Sequence, residues 1–343
     1  MLATPVRTGG VSPFVLATTM AFIFLGVYVP GMLAAAEPFL VLGLMLLIGL
    51  PHGATDHGLF LALTGGEMGE RKVSFYFLYA LVIGAYGLLW LVFPVVAFVL
   101  FMLLSVYHFG QSNWADVRYP NAKWGTAHYL LWGAGVLLAP ILLYADQAAA
   151  IVSSMTSDAV SYPSAEVALG LIIFLALANL VFLLLLRWRG AIGKRRLLLE
   201  VVGYSLLLAM FFTNSLLLGF TVYFVFWHSL ASAQDQLRFF RRRLSCSVRR
   251  QLYFGILTTV GGALAFCLVV WLGPGPAAAL APEVIGGVFV FISLLTLPHM
   301  LLVEKLYRQW SPAAEGEHPA AQHQETHSER PPTGPRPEWT ILH

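Results

Sequence analysis

From near its start to about Trp310 the chain alternates between apolar runs of about 20 residues, the length needed to cross a hydrocarbon core, and short connections that hold its charges. Inside hydrocarbon every backbone N–H and C=O must be bonded internally, so only helices and closed barrels cross it. These runs lack the two-residue alternation of a barrel strand, which leaves helices. With 58% hydrophobic residues, 11% charged residues and a mean hydropathy of +0.76 over 343 residues, the chain lies outside the range of soluble proteins. The expected fold is therefore all-α and polytopic. About ten spans are predicted, at 14–33, 39–61, 75–93, 95–113, 126–144, 166–186, 196–212, 215–236, 251–272 and 284–304. Residues 1–310 form one transmembrane domain in this reading. The polar, proline-rich stretch 311–343, with His318, His323 and His327, cannot bury enough apolar surface to fold and is expected to be a disordered tail.

Orientation follows from the connections. Arg71 and Lys72, Arg118 and Lys123, Arg187 to Arg196, and Arg238 to Arg250 occupy alternate ones, whereas the others carry Glu37, Asp146, Asp158 and Glu283 or nothing charged. The positive-inside rule then places both termini in the cytoplasm, in an inner-membrane protein with every even-numbered span running inward. The first run precedes Ala34, Ala35 and Ala36, a small-residue stretch resembling a cleavage site, but it is long for a signal peptide and is read as an uncleaved helix. Cys246 and Cys267 fall on different levels and give no disulfide or metal signature. No phosphate-binding glycine loop, G-x-S-x-G, C-x-x-C-H or H-x-x-H-H motif is present, and nothing points to nucleic acid.

Ionisable side chains in hydrocarbon are costly and mark functional sites by default. His52, His108, His228 and His299 each lie about 13 to 15 residues from the outer end of an even-numbered span, which at 1.5 Å per residue is about 20 Å down. One shared depth points to one site, and imidazole suits iron, copper, zinc and nickel alike. A lone membrane histidine is as often an interhelical hydrogen-bond partner, so the metal reading rests on the four together. His57, five residues after His52, points to another face and is assigned a supporting or gating role. His128 is read as structural, and Asp116 and Asp235 as interface residues. Asp56 follows His52 by four residues, Gln111 and Ser112 follow His108 by three and four, and Ser232 follows His228 by four. Such spacings share a helical face, where these groups can orient a ligand imidazole through its other nitrogen. Pro51 and Pro298 precede two of the histidines and interrupt helical hydrogen bonding there. Tyr107, Phe109, Trp114, Tyr223, Phe224, Phe226 and Trp227 crowd the same level, a lining suited to packing or to an elongated apolar ligand entering from the bilayer.

The runs PHGATDH at 51–57, HFGQSNW at 108–114, FWHS at 226–229 and LPHMLL at 297–302 resemble the Brp/Blh family, bacteriorhodopsin-related membrane β-carotene 15,15′-dioxygenases. The matching segments spread over about residues 40–305. The resemblance implies cleavage of the central double bond of β-carotene by O2 to two retinals, at a non-haem Fe(II) held by His52, His108 and His228, with His299 as a fourth ligand. It further implies possible retinal hand-over to a rhodopsin. Family members commonly carry a second histidine four residues after that of the FWHS run. Here the position is Ser232, which leaves His299 or His57 to complete the set. Two other classes remain open on the residues alone. One is a proton-coupled transporter with midplane histidines, and the other is a membrane protein that binds carotenoid or retinal without cleaving it.

Overall fold

A computed structural model of the protein describes residues 11–45, 55–64, 71–244 and 278–310, with scattered positions between 249 and 272. Among the described residues every regular element is helical. In chain order they are α1 (Pro13–Tyr28), α2 (Pro30–Leu44), α3 (Asp56–Leu63), α4 (Arg71–Val92), α5 (Pro94–Trp114), α6 (Ala122–Leu143), α7 (Ala145–Thr156), α8 (Ala165–Trp188), α9 (Lys194–Thr213), α10 (Leu216–Val222), α11 (Leu230–Arg243) and α12 (Pro282–Trp310). A π-helical turn, Tyr223–Ser229, joins α10 to α11. Among the described residues seven helices are long and apolar enough to cross a membrane: α4, α5, α6, α8, α9, the continuous α10–α11 rod and α12. The protein is a polytopic, all-helical membrane protein.

Proline sets several boundaries. Pro30, Pro94 and Pro282 each open a helix at the first position, where the missing N–H costs nothing. The expected first span, 14–33, therefore divides: Val29 leaves helical geometry at φ −137°, and α2 begins at Pro30. The expected second span, 39–61, is described only in part, through the end of α2 and through α3. His52 and the rest of 46–54 lie outside the described residues, as do Cys246, Cys267 and the tail 311–343. Helix α7 was not among the expected spans, because its 12 residues are too short to cross.

The lipid-facing surfaces carry the apolar side chains that a soluble protein would bury. Phe77, Leu81, Leu88 and Leu91 of α4, and Phe174, Leu177, Val181 and Leu184 of α8, are all exposed. The interior is also largely apolar, with Trp114, Trp132, Phe211, Phe239 and Phe240 fully buried, and small residues mark the closest helix crossings. Helices α5 and α6 cross so closely that a Cβ on Gly110 would lie 1.9 Å from the Tyr129 carbonyl oxygen, and one on Gly133 would lie 1.7 Å from that of Val106. Small residues at such a crossing admit backbone-to-backbone contact, the packing device of membrane helices. At one end of the bundle Arg196 at the start of α9 grips Asp116, just past α5, through two contacts of 2.5 and 2.9 Å, and its guanidinium lies over the Trp114 ring. Half-buried Tyr119 in the same α5–α6 connection has its phenol pushed well above its ordinary range by loss of solvent.

Candidate functional site

Three of the four histidines expected to share a depth meet in the interior. His108 comes from α5, His228 from the π-turn and His299 from α12, and all three are buried. The His108 ring centre lies 4.9 Å from that of His228 and 5.6 Å from that of His299, edge to face in both cases. A π-turn inserts an extra residue into a helix and is frequent at functional sites. Here it turns His228 toward α5, with its ring 4.6 Å from Phe109 and stacked on Phe224. Trp227, next in the same turn, donates its Nε1–H to Thr19 of α1 at 2.9 Å and locks the turn in place.

Among the described residues, polar partners of the histidines reach across from other helices. Asp56 of α3 holds His299 Nδ1 through Oδ1 at 2.6 Å, and its Oδ2 accepts the Tyr79 hydroxyl from α4 at 2.9 Å. Ser112 Oγ of α5 lies 3.0 Å from His228 Nδ1. Both contacts engage Nδ1, as the outer hydrogen-bond partner of a metal-binding histidine does. Gln111 turns to the Tyr107 hydroxyl and to Glu304 of α12, which also pairs with Arg308 at 2.7 Å. Ser232 is buried and accepts a hydrogen bond from Gln236, whose side-chain oxygen in turn accepts the Thr55 hydroxyl beside Asp56. His57 meets α4 instead of the cluster, with Nδ1 2.9 Å from the Tyr76 hydroxyl and its ring stacked on Phe75. His128 sits between Trp114 and Phe182, bonded to Tyr119, within a packed core.

Glu304 and Tyr79 are among the residues that the sequence reading did not single out. Glu304 lies five positions after His299, at the very end of the expected span and next to Lys305, where a charge is ordinary and carries little signal. Tyr79 carries none either, since tyrosine is ordinary in a span.

The donor set can be tested against a metal. With metal–nitrogen bonds of about 2.1 Å and the ring centre about 1.1 Å further back, two imidazoles sharing an ion have centres about 4.5–5.2 Å apart. The His108–His228 pair falls in that window, and the His108–His299 pair lies slightly outside it. Among the described residues no three His, Cys, Asp or Glu side chains are already gathered around one point. Ligand chemistry and outer-sphere partners fit a metal at this cluster.

The cluster lines a cavity of about 1260 Å³. That exceeds the roughly 300–1,000 Å³ of ordinary small-molecule sites. Its walls are mainly aliphatic and aromatic, drawn from α2, α5, α6, α7, α10 and α12, and its polar groups are few. Fold and site together define a polytopic membrane protein in which buried imidazoles open onto a large apolar chamber.

Residues 43–307 match the family model described as beta-carotene 15,15′-dioxygenase. The chain belongs to that family. Among curated proteins it is similar to a beta-carotene 15,15′-dioxygenase of an uncultured marine bacterium, 66A03, at 24% identity over 279 residues, covering 79% of this chain and 94% of the relative. No solved structure matches.

Proposed function

We propose that the protein cleaves the central 15,15′ double bond of β-carotene with O2 to give two molecules of retinal, at an Fe(II) held by His108, His228 and His299 together with His52. The observation that carries this reading is the convergence of three imidazoles from three helices on one large apolar chamber, in a chain of the β-carotene 15,15′-dioxygenase family. The reaction balances without a further reductant: one C=C bond breaks, two C=O bonds form, and each oxygen atom of O2 ends in one aldehyde. Bound Fe(II) with neutral imidazole ligands and open positions would supply the activation of O2.

The chain's own part is binding, orientation and exclusion of water. Asp56 and Ser112 fix the rings of His299 and His228 through Nδ1 and present Nε2 to the ion. Tyr79 holds the second Asp56 oxygen, so the carboxylate cannot swing away from His299. The aliphatic chamber keeps a polyene extended and bulk water out, which makes positioning the main catalytic contribution. No residue is required to act as a general acid or base.

Both termini are assigned to the cytoplasm of an inner-membrane protein. The Arg196–Asp116 pair supports this, because it places two of the Arg- and Lys-bearing connections at the same end of the bundle.

The test is expression in a bacterium that accumulates β-carotene, with chromatography of the pigments and His108→Ala as control. Retinal appearing as the carotene disappears, only in the unmutated protein, is expected. Unchanged carotene with well-expressed, membrane-inserted protein would refute the activity and favour a carotenoid binder.

A further inference from the structure

The chamber is directional. Along α12 the wall residues Val284, Val288, Phe291 and Leu295 recur at helical spacing and lead to His299, which also lines the chamber. That stripe rises about 22 Å at 1.5 Å per residue. At the far end the chamber runs beneath α7, whose Ala148, Ile151 and Val152 face it opposite Leu216 of α10 and Ile285 of α12. Helix α7 is itself anchored there: Ser154 Oγ donates to the Pro282 carbonyl at 2.9 Å, and α12 comes close enough that a Cβ on Gly286 would lie 2.4 Å from that hydroxyl. The short amphipathic helix thus forms a fixed roof over the end of the chamber remote from the histidines.

We infer that the space under α7 is the seat of one terminal ring of the carotenoid, and that Ala148 sets the girth of the end group admitted there. The inference rests on the reading of the protein as a carotenoid-cleaving enzyme. A symmetrical forty-carbon substrate cut at its centre needs room for half a molecule on each side of the reacting bond. That half measures roughly 15 Å from the central bond to the far edge of the ring, from standard carbon–carbon bond lengths. The α12 arm is long enough for it, and its walls have no charged side chain among the described lining residues. A cyclohexenyl ring is wider than the polyene that precedes it, so the arm must broaden where the ring stops. Ala148 lines the chamber within a buried cluster that includes Leu216 and Ile285, and its methyl is the smallest side chain of that group.

The experiment is a graded series, A148V, A148L and A148F, assayed in membranes with two substrates. One is β-carotene, with a ring at each end, and the other is β-apo-8′-carotenal, with one ring and a slim aldehyde end. β-Carotene must place a ring under α7, whereas the apocarotenal can enter with its slim end there. Cleavage of β-carotene is expected to fall at least about tenfold across the series, the scale of a pocket sensing added carbon. Cleavage of the apocarotenal is expected to change less than about threefold. Equal losses on both substrates, or none on either, overturn the ring seat. Binding of the two carotenoids by the purified protein, read by absorption, supplies a second ratio independent of turnover. If the unmutated protein forms no retinal from either substrate, the activity reading falls, and the binding ratio still decides the seat.

Discussion

At the crossing of α5 and α6, Gly110 follows His108 by two residues and faces the Tyr129 carbonyl. In Gly110→Ala the new Cβ starts 1.9 Å from that oxygen, and side-chain carbons do not approach closer than 3.0 Å, so the helices must separate by at least about 1.1 Å. The obstacle is backbone on both sides, which excludes relief by a rotamer change. Overpacking of this kind costs about 1–3 kcal/mol of stability. The catalytic effect should be larger, because α5 carries His108, Ser112 and Phe109 with it, and a shift of about 1 Å in reacting groups costs about a hundredfold in rate. Retinal formed per mole of membrane-inserted protein, measured with the thermal midpoint in detergent, separates the two effects. Gly84→Ala is the matched control, since nothing lies within 4 Å of its Cβ, and it should behave as the parent. A Gly110→Ala protein with parental activity and midpoint would refute the close crossing and, with it, the role of α5–α6 packing in placing His108.

Three further perturbations address the parts around the cluster. Asp56→Asn keeps the shape but weakens the hold on His299 Nδ1, and iron affinity measured by metal competition should fall about 10- to 100-fold; unchanged affinity would remove Asp56 from the site. Ser112→Ala deletes a single neutral contact to His228, worth about 1 kcal/mol, so a several-fold loss of iron affinity is expected, and a loss as large as that of Asp56→Asn would contradict the ranking. Arg196→Met leaves mostly buried Asp116 without its bidentate partner and should lower stability by about 3 kcal/mol, while iron content per folded molecule stays unchanged. Iron lost in step with stability would show that this pair reaches the site.

The sequence by itself determined the class of fold, because the free energy of an unbonded peptide group in hydrocarbon leaves helices as the solution for apolar runs without strand alternation. It also made His108, His228 and His299 legible as a group, since the cost of an ionisable residue in a span singles each one out and the helical rise then assigns them one depth. The pairing of side chains was not legible. Spacing of three or four residues marks Gln111 and Ser112 as facing the same way as His108, yet Ser112 reaches His228, Gln111 reaches Glu304, and Asp56 reaches His299. Those choices depend on how helices cross, which is set by backbone contact at Gly110 and Gly133 and by the π-turn at 223–229, where an added residue changes the direction of every side chain after it. The roof helix α7 was invisible for a related reason: too short to read as a span, it acquires its role only by lying against α12, where tertiary packing turns an ordinary alanine-rich segment into the end wall of a chamber.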